Sequence, residues 1–304
     1  MNRCFPMLAA ALALVFSAGD CRSQDVLGLT RKAQGGDAVA QFNLGRCYFY
    51  GEGVEKDPVK AVEWWRKADE QDLPEAKYAL GRCYELGEGV EKNFTLALEW
   101  YQKGAEQGDP YAQRYLGMCY MKGRCVEKDV TQAFKWFEKA AEQGDVTTQI
   151  LLGGYYMDGE GVEKNPAKAV EWYTKAAKQG HVDAQFILGT CYMEGKGVEI
   201  DFSQSAKWFR KAAEQGKALA QVLLGLYYMK GYGVEKAPIQ ASEWFRKAAE
   251  QGDPWGQYYL GWCYRNGEGV EKDLTKAFEL FRKAAELGVE GAQKALDEIS
   301  ADPK

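Results

Sequence analysis

The hydrophobic pattern predicts a first amphipathic helix that begins soon after residue 37. Apolar side chains recur there at positions i, i+4, i+7 and i+8, which is the spacing of one face of an α-helix about four turns long. Asp37 precedes this stripe, and an aspartate at the N-cap accepts hydrogen bonds from backbone N–H groups of the first turn. We call this segment helix A. Its apolar residues in the first copy are Ala40, Leu44, Cys47 and Tyr48.

A second amphipathic helix follows a glycine-rich break. Residues 51–54 read Gly-Glu-Gly-Val, and glycine adopts backbone conformations that other residues resist, so we expect the chain to reverse direction there. Asp57 and Pro58 then provide an N-cap with proline at the first helical position. We call this second segment helix B. Its apolar stripe comprises Ala61, Trp64, Trp65 and Ala68.

The block that ends helix A recurs seven times at a constant spacing. Each copy begins 36 residues after the previous one, and no insertion interrupts the series. A fixed period of about 20–50 residues is the signature of a solenoid, in which each repeat buries its apolar face against its neighbours. The copies read LGRCY, LGRCY, LGMCY, LGGYY, LGTCY, LGLYY and LGWCY, and they begin at Leu44, Leu80, Leu116, Leu152, Leu188, Leu224 and Leu260.

The repeated motifs resemble those of a known family. Helix A carries A-x-x-x-L-G-x-x-Y, the break carries G-x-G-V, and helix B carries D-x-x-K-A followed by W-aromatic-x-K-A. This pattern resembles the Sel-one-like repeat (SLR), a relative of the tetratricopeptide repeat, over residues 27–299. The resemblance implies an all-α fold, a right-handed α-solenoid of about seven antiparallel helix pairs. It also implies a role as an adaptor or scaffold in protein assemblies.

Two departures from the repeat are expected to weaken it locally. Helix B usually ends at a glycine suited to the left-handed conformation, but Asp72 stands at that position in the first repeat. Ala237 stands where other repeats have the Asp or Asn that caps helix B, so it offers no side-chain acceptor. We expect a small loss of stability at each place and no change of fold.

The first residues differ from the repeats and predict export. A basic start at residues 1–3 precedes an apolar run at 4–16 and small residues at 17–19, the order of a secretory signal peptide. The apolar run is shorter than the roughly 20 residues that cross a bilayer. We therefore predict a periplasmic or secreted protein. Its segments are a signal peptide at 1–19, a short linker at 20–26, the solenoid at 27–299 and a tail at 300–304.

Two alternatives remain open for this segment. It could form an apolar N-terminal helix that is retained. Cys21 could also carry a lipid anchor, but Asp20 precedes it where a bacterial lipoprotein signal has a small residue, which disfavours lipidation.

Composition restricts the classes of partner. Of the 304 residues, 27% are charged, the formal net charge is −5, and acidic and basic side chains are interleaved in every repeat. Nucleic-acid binding needs a concentrated basic surface to neutralise phosphates, so no nucleic-acid partner is expected. No segment after the N-terminus is continuously apolar, so no membrane span is expected either. Oligomeric state stays open, with a monomer as the simplest expectation.

Residues that could carry chemistry are few. Five helix-A cysteines are spaced one or two repeats apart, too far for a shared metal ion or for disulfides along the column, so we interpret them as packing residues. Cys119 and Cys125 are the one pair that could form a disulfide. His181 is the only histidine, and no Ser or Cys nucleophile has an identifiable base, so no enzyme activity, metal or cofactor is expected. The column comprises Cys47, Cys83, Cys119, Cys191 and Cys263.

Two alternative functions are kept beside the scaffold. Some cysteine-rich relatives of the SLR family are associated with β-lactam binding, so a β-lactam-binding or hydrolysing enzyme is one, although an S-x-x-K motif with its partner motifs is absent. The other is an envelope-homeostasis factor that modulates the assembly of another protein.

The helix-A positions that change from repeat to repeat predict the binding surface. Alignment with a tetratricopeptide helix places positions equivalent to 39, 42, 46 and 49 on the concave face, where a protein or peptide partner would lie. Aromatic and arginine side chains are the usual anchors of interfaces, although some of these rings could instead pack between repeats. Trp255, Tyr258 and Trp262 are expected to form the strongest cluster. The complete set is Phe42, Arg46, Phe49, Tyr78, Arg82, Trp255, Tyr258, Trp262 and Arg265.

Overall fold

The computed structural model describes residues 26–124 and 126–301, which form α-helices joined by turns, without strands. The predicted signal peptide, the linker up to residue 25 and Cys21 lie outside the described residues, as do Cys125 and residues 302–304. The predictions of cleavage, of lipidation and of a Cys119–Cys125 disulfide therefore stay predictions.

Contacts divide the chain into two compact units, which we call the N-terminal unit and the C-terminal unit; the first ends at Thr148 and the second begins at Gln149. The boundary falls within α8 (Val146–Asp158). The N-terminal unit contains α1 (Val26–Gln34), α2 (Ala38–Tyr50), α3 (Pro58–Asp69), α4 (Pro74–Leu86), α5 (Phe94–Glu106), α6 (Pro110–Lys122) and α7 (Val130–Glu142). The C-terminal unit contains α9 (Pro166–Lys178), α10 (Val182–Glu194), α11 (Phe202–Glu214), α12 (Ala218–Lys230), α13 (Pro238–Glu250), α14 (Pro254–Asn266), α15 (Leu274–Glu286) and α16 (Glu290–Ala301).

Helices pair in chain order within each unit. The even-numbered helices α2 to α14 are the predicted helices A, and the odd-numbered helices α3 to α15 are the predicted helices B. In the N-terminal unit α2 packs on α3, α4 on α5 and α6 on α7, and each helix A also contacts the helix B before it. The C-terminal unit repeats this arrangement. The predicted all-α architecture of stacked helix pairs is confirmed.

The predicted helix boundaries follow from their caps. Asp37 Oδ1 accepts a hydrogen bond from the Ala40 backbone N–H at 2.8 Å at the start of α2. Asp57 does the same for Lys60 at 3.0 Å at the start of α3, next to Pro58 at the first helical position. Ala237 makes no side-chain cap bond, as expected.

The core of each repeat is a contact between a glycine of helix A and an aromatic ring of helix B. A methyl group on Gly189 would place its carbon 2.6 Å from a ring carbon of Phe209, far inside van der Waals contact. Only glycine therefore lets the two helices approach to this distance while the ring stays fully buried. The seven pairs are Gly45–Trp65, Gly81–Tyr101, Gly117–Phe137, Gly153–Tyr173, Gly189–Phe209, Gly225–Phe245 and Gly261–Phe281.

The aromatic residue one position earlier in helix B has a different role. In five of the six repeats with a tryptophan there, it is only partly buried; Trp172 is the buried exception. A lysine three residues later lies over each of these rings, with Lys247 Nζ 4.0 Å from the Trp244 ring centroid. A cation–π contact at such a half-exposed site stabilises by about 0.5–1 kcal/mol. The pairs are Trp64–Lys67, Trp100–Lys103, Trp136–Lys139, Trp172–Lys175, Trp208–Lys211 and Trp244–Lys247.

Buried glutamines connect successive helices, which the hydrophobic pattern did not predict. Gln221 of α12 donates to the Ala213 carbonyl of α11 at 3.0 Å, and its side-chain oxygen accepts from Gln251 beyond α13 at 2.8 Å. One amide thus joins three helices while its own polar atoms remain satisfied. The same side-chain pair recurs as Gln41–Gln71, Gln113–Gln143, Gln149–Gln179 and Gln185–Gln215.

The second repeat has Lys77 at the position of this glutamine. The buried lysine accounts for the aspartate that stands at position 72 in place of the usual glycine. Asp72 adopts the expected left-handed conformation, with φ 63°. Its Oδ1 lies 2.8 Å from the buried Lys77 ammonium, which also contacts Asp69 at 3.0 Å. Burial alone would lower the pKa of Lys77, but the two carboxylates outweigh it and the pKa is raised. The strain expected at Asp72 is therefore accompanied by neutralisation of a buried charge.

The glycine–ring contact predicts that Gly189→Ala destabilises the protein. Alanine is the better helix former by about 1 kcal/mol, so helix propensity alone would stabilise α10. Overpacking against Phe209 should outweigh this gain in helix propensity. The net effect should be a free energy of unfolding lower by about 1–3 kcal/mol, measured by denaturant unfolding. The control is the same change in a Phe209→Leu background, where the smaller side chain should reduce the loss. Equal losses in both backgrounds would contradict the contact.

Candidate functional site

The N-terminal unit brings all five of its predicted partner-binding residues to one cleft between α2, α3 and α4. The cleft has a volume of about 20 Å³, enough for one or two water molecules. A whole ligand does not fit inside it, so any partner must contact its rim and insert at most the end of a side chain. The lining residues are Phe42, Arg46, Phe49, Tyr50, Trp65, Tyr78, Ala79 and Arg82.

The five predicted residues do not contribute equally to this surface. Phe49 and Tyr78 are only 7% and 3% exposed. The Phe49 ring lies 5.3 Å from the ring of Trp65, so it belongs to the floor of the cleft. Phe42, Arg46 and Arg82 are half-buried. These three side chains are the accessible part of the predicted set in this unit.

Arg82 belongs to a network with tyrosines of the next repeat. Its guanidinium donates to the Tyr115 hydroxyl at 2.6 Å and to the Tyr78 hydroxyl at 3.4 Å. The Tyr78 and Tyr115 rings lie 5.1 Å apart, and Tyr78 also lies 5.7 Å from Tyr111. Sequence reasoning missed Tyr111 and Tyr115. Tyr111 stands at the position equivalent to residue 39, so the variable helix-A positions could have indicated it.

Arg114 occupies the position equivalent to Phe42 and was also missed, but its charge is already neutralised. Its guanidinium lies 3.1 Å from the Asp145 carboxylate, and both side chains are buried. Asp145 also accepts from the Thr148 backbone N–H at 2.9 Å at the start of α8. This ion pair joins two repeats and stabilises a helix start, so we assign Arg114 a structural role.

The electrostatics of the cleft are those of a cationic surface with neutral hydroxyls. Burial raises the pKa of Tyr50, although Arg82 and Arg46 act in the opposite direction. Burial also raises the pKa of Tyr78 well above its usual value. Burial opposes the charge of Arg82, but Tyr78 and Tyr115 outweigh it and its pKa is raised. The tyrosines therefore remain hydrogen-bond donors while the arginine stays charged.

The C-terminal unit brings its predicted aromatic residues together at α14. Trp255 is 45% exposed, and its ring stacks at 6.1 Å on Tyr259, a residue that sequence reasoning missed. Tyr258 lies edge-on to Trp255 at 5.9 Å and to Trp262 at 6.3 Å. The rings thus form one continuous cluster.

Only part of this cluster faces solvent. Tyr258 and Trp262 each lie 5.8 Å from the fully buried Phe281 ring of α15. Arg265 lies 4.7 Å over the Trp262 ring and pairs with Glu298 of α16 at 2.7 Å. Trp255 is therefore the main exposed anchor, while its three predicted neighbours also hold α15 and α16 against α14.

Metal-ligating clusters and reactive thiols are two features that the described residues allow to be checked. Within 26–124 and 126–301, no group of three or more His, Cys, Asp or Glu residues is placed to hold a metal ion, and no helix is long and apolar enough to cross a bilayer. Burial raises the pKa of the Cys83 and Cys263 thiols to about 12 and that of Cys191 to about 11. Thiols of this kind are weak nucleophiles at neutral pH.

Asp109 is an unusual helix cap beside the tyrosine network. It is 4% exposed and accepts from the Ala112 backbone N–H at 2.6 Å at the start of α6. Burial raises its pKa from 3.8 to about 7, and Glu75 adds to this effect. The folded protein therefore binds this proton more tightly than the unfolded chain does. The contribution of Asp109 to the free energy of unfolding therefore falls as the pH rises from about 4 through about 7.

Asp109→Asn should remove this pH dependence, because asparagine keeps a cap acceptor without a charge. Above pH 7 the variant should exceed the parent protein in unfolding free energy by about 2–4 kcal/mol, and the difference should shrink toward pH 4. Denaturant unfolding across this range measures it. Asp37→Asn, at the exposed cap of α2, is the control. A constant difference across the pH range would contradict the buried carboxyl.

Comparison with protein-family models matches the Sel1 repeat at residues 38–72, 74–109, 110–145, 147–181, 182–217, 218–253 and 256–289. Among solved structures, the chain is similar to a protective antigen of uropathogenic Escherichia coli that displays an SLR fold. The identity is 40% over 89% of this chain, with a TM-score of 0.77, but the match spans only 58% of the antigen's length. A Sel1 repeat protein from Oxalobacter formigenes is 35% identical over 90% of this chain and 79% of its own, with a TM-score of 0.62. Comparison with curated proteins gives no significant match.

Proposed function

This chain belongs to the Sel1 repeat family, and we propose that it is an exported scaffold that binds a protein or peptide partner along helix A. Proteins of this family are generally protein–protein interaction scaffolds. The proposed surface consists of the helix-A positions equivalent to 39, 42, 46 and 49, which we call the helix-A face. It corresponds by alignment to the concave face of tetratricopeptide repeats.

One observation carries this proposal: the scaffold contacts recur in every repeat, whereas the helix-A face changes. The glycine–ring pair is present in all seven repeats. On the helix-A face, arginines and aromatic rings concentrate around Arg46 and Arg82 in the N-terminal unit and around Trp255 in the C-terminal unit. A variable set of anchor residues on an invariant framework is typical of recognition surfaces.

The two regions would recognise different chemistry. In the N-terminal unit the helix-A face offers guanidinium groups beside tyrosines. In the C-terminal unit its positions are mostly apolar and rich in methionine, a flexible side chain suited to adaptable contacts. The apolar residues there are Ile150, Met157, Phe186, Met193, Leu219, Val222, Leu226, Met229, Trp255, Tyr258 and Trp262.

The proposed scaffold role assigns no catalysis to this chain, and the burial of its cysteine thiols supports that choice. A β-lactam-binding or hydrolysing enzyme would need an activated nucleophile, whereas Cys83, Cys191 and Cys263 are buried and their pKa values are raised. Turnover of a β-lactam by the purified protein would overturn the choice. An envelope-homeostasis factor remains a compatible role, because a scaffold can modulate assembly through its partner.

Export predicts a shortened mature chain. The order of basic, apolar and small residues at 1–19 supports cleavage just before Asp20. Mass spectrometry of the protein purified from its native cells should find an N-terminus near Asp20. Recovery of a cytosolic chain that retains Met1 would contradict export and leave the binding proposal standing.

The binding proposal predicts that Trp255→Ala releases the partner without unfolding the protein. Trp255 is 45% exposed, so its loss should leave the melting temperature nearly unchanged while it removes a large apolar anchor. Recovery of bound protein from an envelope extract is the measurement.

Tyr232→Ala is the matched control, since Tyr232 is 48% exposed in the turn before α13 and lies off the helix-A face. Loss of the same partner from both variants, or from neither, would contradict the assignment of the helix-A face.

A further inference from the structure

Arg82 carries a charge that no carboxylate of the described residues neutralises. Its guanidinium hydrogen-bonds only to the hydroxyls of Tyr115 and Tyr78, and its Nε has no partner among the residues described. Arg114 and Arg265, by contrast, each pair with a carboxylate. A half-buried guanidinium held only by neutral groups is costly, and an anion from outside would offset that cost.

A second arginine and a hydroxyl face the same cleft. Arg46 comes from the preceding repeat and lines the cleft with Arg82 and Tyr50. Both arginines interact electrostatically with the Tyr50 hydroxyl. Guanidinium groups present parallel N–H donors that match the two oxygens of a carboxylate. Two arginines and a tyrosine therefore line one small space, and their donor groups are of the kind that binds a carboxylate.

The two glutamates near the cleft, Glu85 and Glu52, interact with tyrosine hydroxyls. Glu85 accepts the Tyr101 hydroxyl at 2.7 Å, so its carboxylate already has a donor. Glu52 acts on the Tyr50 hydroxyl, where it contributes to the raised pKa. Among the described residues the Arg82 guanidinium donates to the hydroxyls of Tyr78 and Tyr115, and not to either of these carboxylates.

The rim of the cleft adds an apolar requirement. Phe42 and Trp65 have ring centroids 6.4 Å apart, and Phe42 is only half-buried. The volume of about 20 Å³ admits the end of a side chain while the rest of the ligand stays on the rim. A matching ligand therefore places a carboxylate in the cleft and an apolar side chain against Phe42.

We propose that the cleft between Arg46 and Arg82 binds an aspartate or glutamate side chain of an extended peptide in which an apolar residue lies next to the acid. The inference rests on the proposed function, because it requires that the helix-A face takes a peptide. It adds the chemical class of the peptide and places its acidic residue in the N-terminal unit.

Selection from a random peptide display library on the purified protein tests this proposal. The immobilised baits are the parent chain, Arg82→Gln and the control Arg66→Gln. Arg66 also donates to a tyrosine hydroxyl, Tyr84 at 2.8 Å, but it lies exposed on α3. Peptides enriched on the parent and on Arg66→Gln should carry an acid beside an apolar residue, and Arg82→Gln should lose them.

An amidated copy of an enriched peptide then identifies the carboxylate. Its Glu→Gln or Asp→Asn version should bind about tenfold more weakly or worse, and affinity for the acidic peptide should fall as salt rises from about 50 to 300 mM. Amidation removes the C-terminal carboxylate, so retained binding assigns the contact to the side chain. If Arg82→Gln does not fold, Arg46→Gln and the salt dependence of the parent protein decide.

The outcomes separate this inference from the proposed function. Enriched peptides without acids, or acidic peptides that bind Arg82→Gln and Arg46→Gln as tightly as the parent, would overturn the carboxylate site and leave peptide binding intact. Binding that disappears on amidation would assign the cleft to a C-terminal carboxylate and overturn the side-chain proposal. Failure to enrich any peptide would contradict both.

Discussion

Close approach of helix A and helix B at a glycine is the contact on which each repeat depends. The helix-B ring occupies the space that a β-carbon would fill, so the ring is fully buried and the helices meet without an intervening side chain. The first repeat shows the same constraint with a larger ring: Trp65 lies against Gly45 and satisfies its indole N–H at the Phe42 carbonyl at 3.0 Å. The ring type varies, but the glycine does not.

Polar groups then connect the repeats that these contacts form. A buried glutamine of helix A bonds to the end of the preceding helix B and to the residue that follows the next helix B, as Gln221 does with Ala213 and Gln251. Where Lys77 replaces the glutamine, Asp72 supplies the compensating charge. Because all of these contacts lie within a repeat or between neighbours, the outward positions of helix A are left to vary without loss of the framework.

Much of the fold could be predicted from the sequence, because period, caps and glycine turns are local signals. Asp37 and Asp57 cap their helices as expected. The glutamine connections could not be predicted, since a search for hydrophobic periodicity passes over polar positions. The network of Arg82 with Tyr115 depends on side-chain directions across two repeats, which spacing does not define. The same limit applies to Tyr78, predicted on the binding surface and found 3% exposed.

We propose a division of the chain between a framework that folds and a helix-A face that binds, and a saturation mutational scan tests that division most directly. Each variant would be scored separately for folded abundance and for binding of an enriched peptide. We predict that substitutions at Gly189 and Phe209 and their equivalents reduce abundance, whereas those at Arg46 and Trp255 reduce binding at normal abundance. The division would be contradicted if the helix-A face behaved like the core, or if binding-specific positions fell on helix B.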